Sequence, residues 1–155
     1  MKYSSTMIVV KDIQKARHFY KEVLDLDVIA DFGANITLTG GIGLQTLDTW
    51  KDFIRKQDEE LVFKNNVCEL YFEEDDIERF TAALSQRDDI EYVHPLLEHT
   101  WGQRVVRFYD LDGHIIEVGE RLDAVVKRFI ADGLTVEGTA ERMDVSISFI
   151  QSCLD

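Results

Sequence analysis

The sequence predicts an α+β protein: two βαβββ modules in one chain form a cup-shaped mixed sheet, and a helical appendage follows. Three observations carry this prediction. Trp101–Glu120 reads as a β-hairpin. A strand–helix–strand–strand–strand order occurs twice. From Arg121 onward the pattern becomes wholly helical.

In the hairpin, Val105, Arg107 and Tyr109 alternate with Val106 and Phe108, which is strand periodicity. Asp110-Leu111-Asp112-Gly113-His114 is the turn, with Gly113 free to take the positive φ a short loop needs. If Asp110 pairs with His114, Phe108 lies beside Ile116 on the core face. Arg107 then lies beside Glu117 on the other face, with Val105 and Tyr109.

The elements before it fall in order. Tyr3–Val10 is a strand. Asp12 caps a helix with Ile13, Ala16, Phe19, Tyr20, Val23 and Leu24 on one face. Asp27–Phe32, Asn35–Thr39 and Ile42–Leu47 are strands. Asp48–Lys64 is charged, with a weak helical pattern, and reads as a link. Then Val67–Phe72 is a strand, Asp76 caps DIERFTAALSQ, and Ile90–Leu97 is a strand whose Pro95 suits an edge or a bulge. The two caps fix the repeat: Asp12-Ile13 and Asp76-Ile77 differ by 76 − 12 = 64. At the module ends, Gly41-x-x-x-Gln45 matches Gly113-x-x-x-Glu117. The expected division is residues 1–120, with modules 1–48 and 66–120 and linker 49–65, then a helical extension over 121–155.

Composition narrows the function. Seventeen basic against thirty acidic residues leave a net charge of −13. A phosphate backbone needs a basic surface, so nucleic acid is not an expected partner. No apolar run reaches membrane-spanning length, so no membrane partner is expected either. Two distant cysteines, Cys68 and Cys153, fit reduced thiols and a cytoplasmic location.

The segments MIVVKDIQKARHFYKEVLDLDV, LYFEEDDIERFTAAL and above all WGQRVVRFYDLDGHIIEVGE resemble the vicinal oxygen chelate superfamily. That superfamily includes glyoxalase I, bleomycin- and fosfomycin-resistance proteins and extradiol dioxygenases. The resemblance covers about residues 1–120. It implies that paired βαβββ units form a cup whose floor holds a divalent metal. Its ligand positions fall on Glu117, on Gln45 in the first module, on Glu69 at the start of the second, and on a degenerate position, Ser5. Alternation agrees: Glu69 and Tyr71 share one face, as do Ser5, Met7 and Val9, while Cys68, Leu70 and Phe72 face the helix. The set is short of histidine. Its oxygen donors suit Mg²⁺ or Mn²⁺, with Ni²⁺ or Zn²⁺ as weaker candidates, or no metal at all. Arg107 competes for Glu117, and a guanidinium disfavours a nearby cation. In the metal-free case Arg107 and Arg104 neutralise Glu117 and Glu69.

Two functions follow from the resemblance. One is a glyoxalase-like enzyme, a lyase or isomerase acting on vicinal oxygens, in which Glu117 or His99 moves the proton. The other is a metal-free binding or resistance protein that sequesters a ligand with Arg107, Trp101, Tyr71 and Tyr109. His18 reads as exposed, His94 as structural and His114 as a turn residue. In the tail, Leu122, Val125, Val126, Phe129 and Ile130 mark one helix. GLTVEGTAERMDVSISFIQSCL is similar to a helix-turn-helix, but its second helix carries no lysine or arginine. It reads as packing or dimer surface, with a homodimer expected.

Overall fold

The computed structural model describes residues 1–154. The chain is α+β: two βαβββ modules, each with a mixed four-stranded sheet, precede three C-terminal helices. It divides into two compact units. The first comprises Met1–Cys68 with Tyr109–Ile115. The second comprises Glu69–Phe108 and the chain from Ile116 onward.

In the first unit the strands are β1 (Thr6–Val10), β2 (Val28–Asp31), β3 (Asn35–Leu38) and β4 (Ile42–Thr46), in the order β1-β4-β3-β2. β1 runs parallel to β4, and the other pairs are antiparallel. Ile8 and Ile36 both stand opposite Leu44, so these three apolar side chains lie abreast. Helix α1 (Ile13–Leu24) buries Ala16, Phe19 and Tyr20. Each large apolar side chain so removed from water contributes roughly 1.5–3 kcal/mol. Asp12 caps α1 as expected, accepting from the N–H groups of Gln14 and Lys15 at 3.1 and 3.0 Å. Asp25, in the left-handed region, ends it.

The charged link is more ordered than its sequence suggests. Helix α2 (Leu47–Ile54) packs against β1 and β4, with its Trp50 half-buried. The loop beyond it holds Lys64 and Asn66 at φ 55° and 59°. Cys68 is exposed and does not face a helix, because it precedes the strand whose alternation was extended to it.

The second unit carries β5 (Glu69–Glu74), β6 (Glu91–Glu98), β7 (Arg104–Tyr109, its last residue in the first unit) and β8 (Ile115–Glu120, its first residue likewise), in the order β5-β8-β7-β6. Pro95 lies in β6, an edge strand. Helix α3 (Ile77–Leu84), capped by Asp76, buries Ile77 and Leu84. Phe80 packs against Phe108 with ring centroids 6.4 Å apart.

Helices α4 (Leu122–Ala131), α5 (Val136–Met143) and α6 (Ile147–Leu154) share a core of Val125, Val126, Phe129, Ala140, Met143 and Ile150. Thr135 caps α5 by accepting from the Gly138 N–H. The tail is docked within the second unit. Phe129 fills the space over Gly102, where a Cβ would stand 2.1 Å from its ring. Arg128 donates to the Gly102 carbonyl at 2.6 Å. No helix among the described residues is long and apolar enough to cross a membrane.

Candidate functional site

The second unit gathers most of the residues marked by sequence. Alternation along β5 and β8 puts Glu69 and Glu117 within reach of one side chain, Arg107 on β7. Its Nε donates to Glu69 Oε2 at 2.9 Å, and its Nη2 is ion-paired with Glu117 Oε2. That oxygen is buried and has no hydrogen-bond partner besides this pairing. Nη1 of Arg107 lies 3.2 Å from His94 Nε2 and 3.5 Å from His99 Nε2. His99 stacks on Trp101, centroids 4.1 Å apart. Partial burial, then the positive charge of Arg107, holds the His99 pKa below its ordinary value, so the ring is neutral at pH 7. Trp101 donates to Gln103 Oε1, and Gln103 in turn donates to the Tyr71 hydroxyl at 3.0 Å.

Arg104 is not a partner of either carboxylate. It makes a two-pronged contact with Glu120, at 3.0 and 2.9 Å, and reaches Glu78. Residues 104 and 107 are three apart on one strand, so their side chains leave opposite faces. Arg128 closes on Glu120 from α4. Burial works to raise the Glu120 pKa, but the two guanidiniums outweigh it and hold it low.

In the first unit the Gln45 amide is fully used. Its Oε1 accepts from Asn35 Nδ2 at 2.9 Å, and its Nε2 donates to the Ala34 carbonyl at 3.1 Å and to Thr49 Oγ1. Ser5 is exposed. Tyr109 donates to Asn66 Oδ1 at 2.7 Å. The same unit contains a cavity of about 340 Å³, within the usual range for small-molecule sites. Met7, Val9, Trp50, Phe63, Lys64 and His114 line it, with Asn65, Asn66 and Cys68. None of the residues marked as ligand contacts from sequence is among them. The aromatic pair Trp50 and Phe63, set in a charged link, was the available signal.

One face of this unit also carries a buried polar chain. The Tyr20 hydroxyl donates to Asp110 Oδ2 at 2.8 Å, and His114 Nδ1 lies 2.8 Å from the same oxygen. The N–H groups of Asp112 and His114 point at Asp110 Oδ1. Burial tends to raise the Asp110 pKa, yet these donors lower it overall. Burial raises that of Asp112. Burial, then the Asp110 charge, lifts the Tyr20 phenol well above its usual value.

A glyoxalase-like domain model matches residues 3–123. The chain belongs to the glyoxalase-like family. A protein of unknown function from Agrobacterium tumefaciens is 33% identical to this glyoxalase-like chain, covering 79% of it and 95% of that protein, with a TM-score of 0.70. A glyoxalase/bleomycin resistance protein/dioxygenase family enzyme from Burkholderia phytofirmans PsJN is 15% identical over 77% of this chain and 98% of that one, TM-score 0.66. A glyoxalase/bleomycin resistance protein/dioxygenase from Nocardioides is 16% identical over 79% and 85%, TM-score 0.59. The last two show the fold alone. A comparison with curated proteins finds no match.

Proteins of this superfamily are often metal-dependent. The residues here do not fit a metal. Glu69 and Glu117 already share one guanidinium, and the Gln45 amide is committed within its own unit. Among the described residues no group of three or more histidine, cysteine, aspartate or glutamate side chains is arranged to hold an ion.

Proposed function

We propose that this glyoxalase-like protein is a small-molecule binding protein, with the cavity of the first unit as its container. The observation that carries this reading is Arg107. It supplies, from inside the protein, the positive charge that two carboxylates at family ligand positions require. A cation added there faces a resident guanidinium, an unfavourable arrangement at such short range. The cavity has the size and aromatic lining of a ligand site.

Two measurements test the proposal. Native mass spectrometry of chelator-free protein should give the apo mass, unchanged on adding Mn²⁺, Ni²⁺ or Zn²⁺. The chain has two tryptophans, so Trp101→Phe leaves Trp50 as the sole indole reporter beside the cavity. A panel of small aromatic compounds should quench it saturably. Stoichiometric metal, or a panel with no saturable member, would overturn the proposal.

A further inference from the structure

Beside the cavity, a buried aspartate that accepts from a buried tyrosine also holds a histidine ring. Asp110 is 7% exposed and Tyr20 is wholly buried. The carboxylate takes four donors: the Tyr20 hydroxyl, the His114 ring and the N–H groups of Asp112 and His114. An ionised carboxylate accepts only, so it fixes the His114 tautomer with the proton on Nδ1. Nε2 is then the ring's acceptor nitrogen. His114 also lines the cavity, as do Trp50, Phe63 and Lys64.

The frame around this ring is over-determined. Gly113 lies at φ 87°, and a Cβ there would meet Lys64 Cβ at 2.8 Å. Lys64 and Asn66 sit in the left-handed region, which costs a residue with a side chain and persists only under tertiary constraint. The constraints are visible: Tyr109 donates to Asn66, the Lys64 ammonium lies 4.5 Å from the Tyr109 ring centroid, and Phe63 meets His114 edge-on at 6.3 Å. Backbone strain of this kind collects at functional sites.

We propose that the first unit's cavity selects planar molecules carrying one weakly acidic O–H, phenols and enols, by accepting that hydrogen on His114 Nε2. This rests on the container reading above and names its ligand class. Trp50 and Phe63 offer aromatic surface to a planar ring. If the ligand ionises, its proton moves to His114 Nε2, the imidazolium is stabilised by Asp110, and the new oxyanion is drawn to the Lys64 ammonium. A carboxylate ligand gains from the Lys64 ammonium but not from His114: it has no hydrogen to give to the Nε2 lone pair, so it lacks the contact that sets phenols and enols apart.

The probes are 3-nitrophenol, 3-nitroanisole and 3-nitrobenzoate at pH 7, where the phenol keeps its O–H, read by quenching of Trp50 in the full-length Trp101→Phe chain. The nitrophenol should bind about tenfold more tightly than either of the others, the worth of one well-placed hydrogen bond to a buried acceptor. His114→Phe in the same background should reduce that preference to within about twofold, because the ring's bulk is kept and its acceptor is gone. If all three probes bind alike, or nitrobenzoate binds best, the selectivity proposal falls and the container reading stands. If none binds, both fall. Should His114→Phe fail to fold, the ranking of the three probes in the parent chain still decides the matter.

Discussion

The two units neutralise buried acid in different ways. In the first, Asp110 is held by a phenol, an imidazole and two backbone N–H groups, with no arginine in its shell. In the second, the buried Glu117 and Glu120 are held by Arg107, Arg104 and Arg128, and Arg107 also holds the exposed Glu69. A carboxylate satisfied by neutral donors keeps its charge and passes it to whatever it orients, here His114. A carboxylate facing a guanidinium is spent: its field is cancelled and its lone pairs are directed at N–H groups. The two carboxylates at the family's ligand positions, Glu69 and Glu117, therefore sit in the unit least able to use them. The groups with remaining chemistry lie in the other unit, around a hairpin turn.

The largest effect that would break this comparison comes from Arg107→Ala. Glu69 and the buried Glu117 would lose their shared counter-charge, and the loss of one partner of a buried pair costs about 3 kcal/mol. Thermal unfolding should report it. The same variant exposes two oxygen donors, so Mn²⁺ or Zn²⁺ should raise its melting temperature and leave the parent's unmoved. A parent that gains stability from metal would show that Arg107 does not displace the ion.

Gly113→Ala comes next, at about 2 kcal/mol, from a left-handed backbone and the 2.8 Å approach to Lys64 Cβ. Because that contact frames the cavity, quenching of Trp50 by any bound probe should weaken with it. A stability loss with binding untouched would detach the turn from the cavity.

The hairpin register made the Arg107–Glu117 neighbourhood legible from sequence, since a pairing of Asp110 with His114 fixes every position above it; the Asp110 N–H does donate to the His114 carbonyl. Both helix caps were legible for the same local reason. That Glu69 joins the pair was expected only through the family resemblance, because β5 lies beside β8 in the sheet, and no short-range pattern states which distant strand is the neighbour. The cavity was not legible. Its loop, 61–68, has no period. Its left-handed residues are set by Tyr109 and Gly113, which lie far along the chain. His114 looked like a turn residue because the turn's sequence does not state that its partner Asp110 is buried; that burial comes with Tyr20, which donates to the carboxylate from α1.

Acid separates the two arrangements further. Glu120 has a folded pKa below its ordinary 4.5, so the stability it contributes is complete above that value and is lost as pH falls through it toward the folded pKa. Asp110 behaves alike, but Asp112, two residues away, has a raised pKa; its cost is present at neutral pH and is relieved as pH falls. The two offset each other. Glu120→Gln should thus flatten the acid limb of the stability curve, and Asp110→Asn should leave the first unit with only the opposing Asp112 contribution, in urea titrations followed across that range.

The smallest effect is a surface control. Lys21 contacts Asp25 at 2.6 Å and Asp27 at 2.9 Å, and hydrogen bonds to these two push its pKa up to about 12. Both acids are well exposed, so water screens the pairs and the lysine gives up rotamer freedom to make them. Lys21→Ala should leave the urea midpoint almost unmoved, although the geometry rivals that of Arg107. The contrast isolates burial as the variable: at similar distances, an ion pair shapes this protein only where its carboxylate has no water to fall back on. A midpoint shift for Lys21→Ala matching that of Arg107→Ala would mean that the count of pairs, and not their burial, governs the second unit.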